Sequence, residues 1–118
     1  MIEAIVREVG LTRSFSETGE KISSIYFGGG TPSILPVTDI KIILEKLHEK
    51  FQVESNAEIT LEANPDDIEM QKPEQWLEAG INRLSLGVQS FVESELVWMN
   101  RAHHADESLR SIKRIREA

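Results

Sequence analysis

The 118 residues carry 13 Lys and Arg against 20 Asp and Glu, a net charge of -7, and they include no cysteine. That balance excludes a broadly basic surface for nucleic acid or anionic lipid, and no run of eighteen apolar residues exists to span a bilayer. Without thiols this stretch forms no disulfide, no thiolate zinc site and no cysteine-ligated iron–sulfur cluster of its own, and its acidic start, Met1-Ile2-Glu3, lacks the basic region of a secretory signal, so a cytoplasmic home is expected.

Ile2, Ile5, Val6 and Val9 recur at helical spacing and predict a first helix that Gly10 interrupts. The polar stretch from Thr12 to Lys21 reads as loop in part. Ile22 to Phe27 is rich in β-branched and aromatic residues and predicts a strand, which runs into the turn-forming Gly28-Gly29-Gly30-Thr31-Pro32-Ser33. Thr38 or Asp39 is expected to cap a helix whose apolar face is Ile40, Ile43, Leu44, Leu47 and Phe51. Ala57 to Glu62 predicts a second strand, ended by a turn at Asn64-Pro65-Asp66-Asp67.

Pro73 and Gly80 bracket a third helix, with Trp76 and Leu77 expected to anchor it inward. Ile81 to Val88 predicts a third strand with Leu84, Leu86 and Val88 on one side. A short helix is expected from Ser94 to Met99, and Asp106 should cap a last one carrying Leu109, Ile112 and Ile115. The order is α, β, α, β, α, β, α, α. Strands alternating with helices imply βαβ units, an α/β class and a parallel sheet. Three strands are few for such a sheet, and the chain opens on a helix and stops within one, so a piece of a larger αβ barrel is expected.

Ligands of parallel αβ folds sit at the carboxyl ends of the strands. Here those ends read Gly28-Gly29-Gly30-Thr31-Pro32, Glu62-Ala63-Asn64-Pro65 and Gly87-Val88-Gln89-Ser90. Glycines let the backbone take positive φ and come close to a ligand, and Thr31 adds a hydroxyl. A plain tight turn explains three glycines about equally well, whereas the spacing fits neither G-x-G-x-x-G nor a P-loop. Glu62 can accept hydrogen bonds from vicinal ribose hydroxyls or an ammonium, or it can be a solvated acid or pair with Arg83. Gln89 offers a donor and an acceptor to a ligand or to loop backbone. Arg101 can hold a carboxylate bidentately or simply be a surface base. His103-His104 make a poor chelate because adjacent residues point apart, and Trp76 and Trp98 read as core anchors.

Tyr26-Phe27-Gly28-Gly29-Gly30-Thr31-Pro32-Ser33, Leu61-Glu62-Ala63-Asn64-Pro65, Gly80 to Phe91 and Asn100-Arg101-Ala102-His103 together resemble the oxygen-independent coproporphyrinogen III oxidase family of radical S-adenosylmethionine (SAM) proteins. The resemblance runs in order from Ile22 to about His104. Decarboxylating members tend to carry Glu-Ile-Asp-Pro and Gly-Val-Gln-Asp-Phe, whereas Glu62-Ala63-Asn64-Pro65 and Gly87-Val88-Gln89-Ser90-Phe91 are similar to the branch regarded as heme chaperones.

The resemblance implies part of a (β/α)6 partial TIM barrel, three parallel strands with flanking helices. By position it carries Gly28, Gly29, Gly30, Thr31, Glu62, Gln89 and Arg101 over as SAM-binding residues. It further implies that the parent protein holds SAM and a [4Fe–4S] cluster and handles porphyrin or heme. The family's Cys-x-x-x-Cys-x-x-Cys segment would precede the first helix, and it and the C-terminal half are expected to be missing. The isolated chain, residues 1–118, is therefore expected to bind neither cofactor, to be inactive, and to self-associate through exposed barrel edges.

Overall fold

Alternation of β-branched and polar residues sets the strands, and apolar residues at helical spacing set the faces that cover them. The computed structural model describes residues 1–12, 19–70, 73–101 and 104–117, and the side chains of 69 and 70 are not among those described. The six residues 13–18 of the expected loop, Ala102 and His103 lie outside them.

In chain order the elements are α1 (Ile2–Leu11), β1 (Ile22–Phe27), a 3-10 turn (Pro32–Ile34), α2 (Val37–Lys50), β2 (Val53–Ala63), α3 (Pro65–Met70), α4 (Pro73–Ala79), β3 (Arg83–Leu86), α5 (Glu93–Trp98) and α6 (Ala105–Glu117). The strands form one parallel sheet in the order β1-β2-β3. Tyr26 faces Thr60 across β1 and β2, and Glu62 faces Ser85 across β2 and β3. This α/β arrangement is the one the sequence predicts.

One face of the sheet packs on helices. Ile59, Leu61 and Ala63 of β2 meet Ile40 and Leu44 of α2, Ile68 of α3 and Trp76 of α4, with Ile81 at the entry to β3. Ile25, Phe27, Leu84 and Leu86 border this core. Strand alternation therefore turns Tyr26, Glu58, Glu62, Arg83 and Ser85 to the opposite face. Asn82 locks β3 onto β2: its Oδ1 accepts the Ile59 N–H at 2.8 Å and its Nδ2 donates to the Ala57 carbonyl at 2.8 Å.

Several local expectations are corrected. Gly10 does not interrupt α1, which runs through it to Leu11. Neither Thr38 nor Asp39 caps α2; Pro36 is the N-cap, and its fixed φ of -54° starts the helix without a side-chain cap. The turn at Asn64-Asp67 is instead the start of α3, because Pro65 suits a first helical position and Asp67 accepts the Asn64 N–H at 3.1 Å. β2 starts earlier than expected, at Val53, and β3 is shorter, Arg83–Leu86.

Trp76 is buried, whereas Leu77 faces solvent. Trp98 is 85% exposed rather than a core anchor, since on α5 only Leu96 turns inward. Asp106 lies inside the first turn of α6 rather than at its cap. The inward residues of α6 are Ser108 and Ser111, with Ile115 at the border of the core, and Leu109 is exposed. Small residues are selected there by close approach: Ser111 Oγ donates to the Pro65 carbonyl of α3 at 2.9 Å.

Candidate functional site

The carboxyl ends of β1, β2 and β3 open on one cavity of about 470 Å³, lined by Gly30, Thr31, Glu62, Asn64, Gln89 and Arg101 among others. A parallel sheet delivers its strand ends to one rim, and residues following each strand then converge there. The volume falls within the range of roughly 300–1,000 Å³ common for small-molecule sites. Of the seven residues singled out from sequence, five line this cavity. Gly28 and Gly29 line instead an adjoining apolar hollow of about 520 Å³ between β1 and α1, a hollow that Gly30 and Thr31 also border.

Gly28 and Gly29 differ in what demands them. A Cβ on Gly28 would lie 2.6 Å from Cε1 of the Tyr26 ring and 3.3 Å from the Glu62 carboxyl carbon, so close approach excludes a side chain. Gly29 meets nothing within 4 Å, but its φ of +85° lies where L-residues are strained. Bent this way, the backbone aims the Gly29 N–H at Glu62 Oε2, 3.2 Å away. The Tyr26 hydroxyl donates to the other oxygen, Oε1, at 2.5 Å. The carboxylate beside it raises the Tyr26 pKa above 10, while Ser85 and Arg83 act in the opposite sense.

Glu62 does not pair with Arg83; that guanidinium goes to Glu58 at 3.2 Å. Arg101 is drawn in by neutral acceptors. Its Nη2 donates to Asn64 Oδ1 at 3.2 Å and to the Gly87 carbonyl at 3.4 Å. Its Nε is buried and meets no acceptor among the described residues. Gln89 sits at φ +66°, unusual for a residue with a Cβ, and its Nε2 lies 3.5 Å from where a Gly87 Cβ would be.

Four contributors escaped the sequence reading. Tyr26 shares a sheet face with Glu62, a relation visible only once the register of β1 on β2 is known. Asn64 is the acceptor for Arg101. Ser33 and Asp67 tie the loop after β1 to the start of α3, with Ser33 Oγ donating to Asp67 Oδ2 at 2.5 Å. Among the described residues no group of three or more His, Asp or Glu is arranged to hold a metal ion, and His104 instead contacts Glu93 Oε1 at 2.5 Å.

Comparison with known proteins identifies the family and its fold. The sequence profile of the radical SAM superfamily matches residues 3–118. The heme chaperone HemW of Haemophilus influenzae is 41% identical over 88 residues, covering 75% of this chain and 23% of its own length. HemW of Escherichia coli is 38% identical over 95 residues, covering 80% and 25%. The solved structure of the radical SAM enzyme coproporphyrinogen III oxidase (HemN) from E. coli superposes with a TM-score of 0.80 at 28% identity, covering 98% of this chain and 26% of HemN. The chain thus spans about a quarter of the length of these relatives. Matched along nearly its whole length, and sharing its fold with HemN, the chain belongs to the radical SAM superfamily.

Proposed function

We propose that this chain forms the part of a radical SAM barrel rim that grips the amino-acid end and ribose of SAM. One observation carries the reading: the cavity holds a carboxylate and a guanidinium, each fixed by neutral partners and therefore left charged. Glu62 is held by a hydroxyl and an amide, and Arg101 by an amide oxygen and a carbonyl. Such a site complements a zwitterion, with an ammonium or ribose diol at Glu62 and a carboxylate at the Arg101 guanidinium that lines the cavity. Gln89 and the Gly30-Thr31 backbone supply the remaining polar contacts.

Bound beside a [4Fe–4S] cluster in the longer protein, SAM would supply radical chemistry, as the family resemblance implies, with Glu62, Gln89 and Arg101 holding it. None of the 118 residues is a cysteine, so this stretch offers no thiolate to that cluster. On this reading the isolated chain performs no radical chemistry, and where the sequence alone predicts no bound cofactor, the rim is proposed to keep a weak affinity for SAM, on the order of millimolar. Amide chemical shifts followed during a SAM titration test this. Shifts confined to Gly30, Thr31, Glu62, Gln89 and Arg101, and abolished in Glu62→Gln and Arg101→Gln, are expected. Shifts scattered over the surface, or no shifts at all, refute the site.

The longer protein, on the same reading, handles porphyrin or heme. Relatives named heme chaperones, at 41% and 38% identity, favour heme delivery over porphyrin oxidation, and a hemin titration of the longer protein separates the two. A cytoplasmic home is part of the proposal; among the described residues no helix is long and apolar enough to cross a membrane. The outer edges of β1 and β3 meet no further strand among the described residues. Parallel edges of this kind complement one another, and a second copy of the chain is their proposed occupant. Light scattering should report a mass that rises with concentration, and a constant monomer mass removes this part of the reading.

A further inference from the structure

We propose that Tyr26 is a positioning residue, whose hydroxyl, together with the Gly29 amide, fixes the orientation of the Glu62 carboxylate toward the polar cavity. Tyr26 lines the apolar hollow and not the cavity, so it reaches Glu62 from behind and leaves the cavity side of both oxygens free. The two grips are complementary, the hydroxyl on Oε1 at 2.5 Å and the Gly29 N–H on Oε2 at 3.2 Å. Together they restrain the carboxylate plane, which a single bond would leave free to rotate.

The ring is held as well as the hydroxyl. It lies across Gly28, where a Cβ would stand 2.6 Å from Cε1 and 3.0 Å from Cδ1. Phe27 and Ile25 on either side of Tyr26 point into the core border and anchor the strand. Tyrosine suits the task because its hydroxyl is neutral over the whole physiological range. A lysine or arginine in its place would hold the carboxylate equally well but cancel its charge. The purpose of this positioning rests on the SAM reading above, whereas the grip itself does not.

Tyr26 is the only tyrosine in the chain, so its ionisation can be read directly in the ultraviolet spectrum. Three groups act on its hydroxyl: Glu62, which accepts its hydrogen bond and raises the pKa, and Ser85 and Arg83, which lower it. The titration midpoint of the native chain is expected above 10, falling back toward 10 in Glu62→Gln. Gly28→Ala should lower it too, because its Cβ crowds the ring at 2.6 Å and the Glu62 carboxyl at 3.3 Å and so parts the two while leaving the acid in the chain, and it guards against a Glu62 variant that fails to fold. A native midpoint near 10 that neither variant moves overturns the proposal whatever SAM does.

A SAM titration followed by amide shifts supplies the second arm. Tyr26→Phe keeps the ring and removes the grip, and should weaken binding on the order of fivefold. Equal binding by Tyr26→Phe and the native chain overturns the positioning role while leaving the SAM site standing. A raised, Glu62-dependent midpoint with no SAM binding by the native chain does the reverse: the grip stands and the SAM reading falls.

Discussion

Asn82 is the side chain on which the placement of β3 depends, and its removal gives a calculable loss. Its Oδ1 and Nδ2 take up the Ile59 N–H and the Ala57 carbonyl, both at 2.8 Å, and both of those residues are buried. Each bond contributes about 1 kcal/mol net, so Asn82→Ala should cost roughly 2 kcal/mol, or about 8 °C of melting temperature for a domain of this size. Asn82→Asp keeps the bond from Ile59 but sets a carboxylate oxygen against the Ala57 carbonyl. Protonation restores a donor, so the defect of Asn82→Asp should shrink as the pH falls through the raised folded-state value and be relieved below the unfolded value of about 4. Thermal unfolding by circular dichroism at pH 7 and pH 3.5, referred to the native chain at each pH, measures both effects. An Asn82→Ala chain melting within a degree of the native one refutes the reasoning, as does an Asn82→Asp defect that ignores pH.

Trp76 is 1% exposed at the centre of the core, so Trp76→Ala should cost about 3–5 kcal/mol and leave a chain that fails to show a cooperative melt, while Trp76→Phe should still unfold in one transition. The Glu93 carboxylate raises the His104 pKa above 6.5, with smaller help from Glu107 and Asp106. The folded state therefore holds this proton more tightly. The resulting stabilisation is full below pH 6.5 and is lost as the pH rises through the folded-state value. An NMR titration of the His104 ring should show the raised midpoint, and Glu93→Gln should return it toward 6.5.

The parts of the fold legible in the sequence are those where composition changes abruptly. β1 is bounded by Lys21 on one side and Gly28 on the other, and its six residues are read with the observed limits. β2 is read short because its first residues, Val53-Glu54-Ser55-Asn56, are mostly polar. They join the strand through a register irregularity, in which Ile22 faces Val53 but Ser24 faces Glu58. α3 is hidden because Asn, Pro and Asp serve turns and helix starts alike.

Trp76 and Trp98 are indistinguishable by type, yet one is buried and the other exposed, since the face of a six-residue helix such as α5 is set by what it packs against. Glu62 was legible as a candidate from its place at a strand end. Its partner was not. Arg83 is the obvious counter-charge by sequence, and only the register shows it reaching Glu58 while Tyr26 reaches Glu62.

That choice of partners has an electrostatic consequence. Arg83 stands opposite Thr60 in the β2–β3 register, and Ser85 stands opposite Glu62. The guanidinium is thus one strand position pair away from the rim, where Glu58 engages it at an exposed site that contributes little to stability. Had Arg83 stood opposite Glu62, the rim would hold a neutralised pair. The same holds on the other side of the cavity. Arg101 leans on Asn64 and Gly87, whose oxygens orient it without cancelling its charge, and Asp67, three residues after Asn64, is occupied by Ser33 and by the Asn64 amide. Hydroxyls, amides and carbonyls do the positioning on both sides, and the two formal charges are left for whatever enters the cavity.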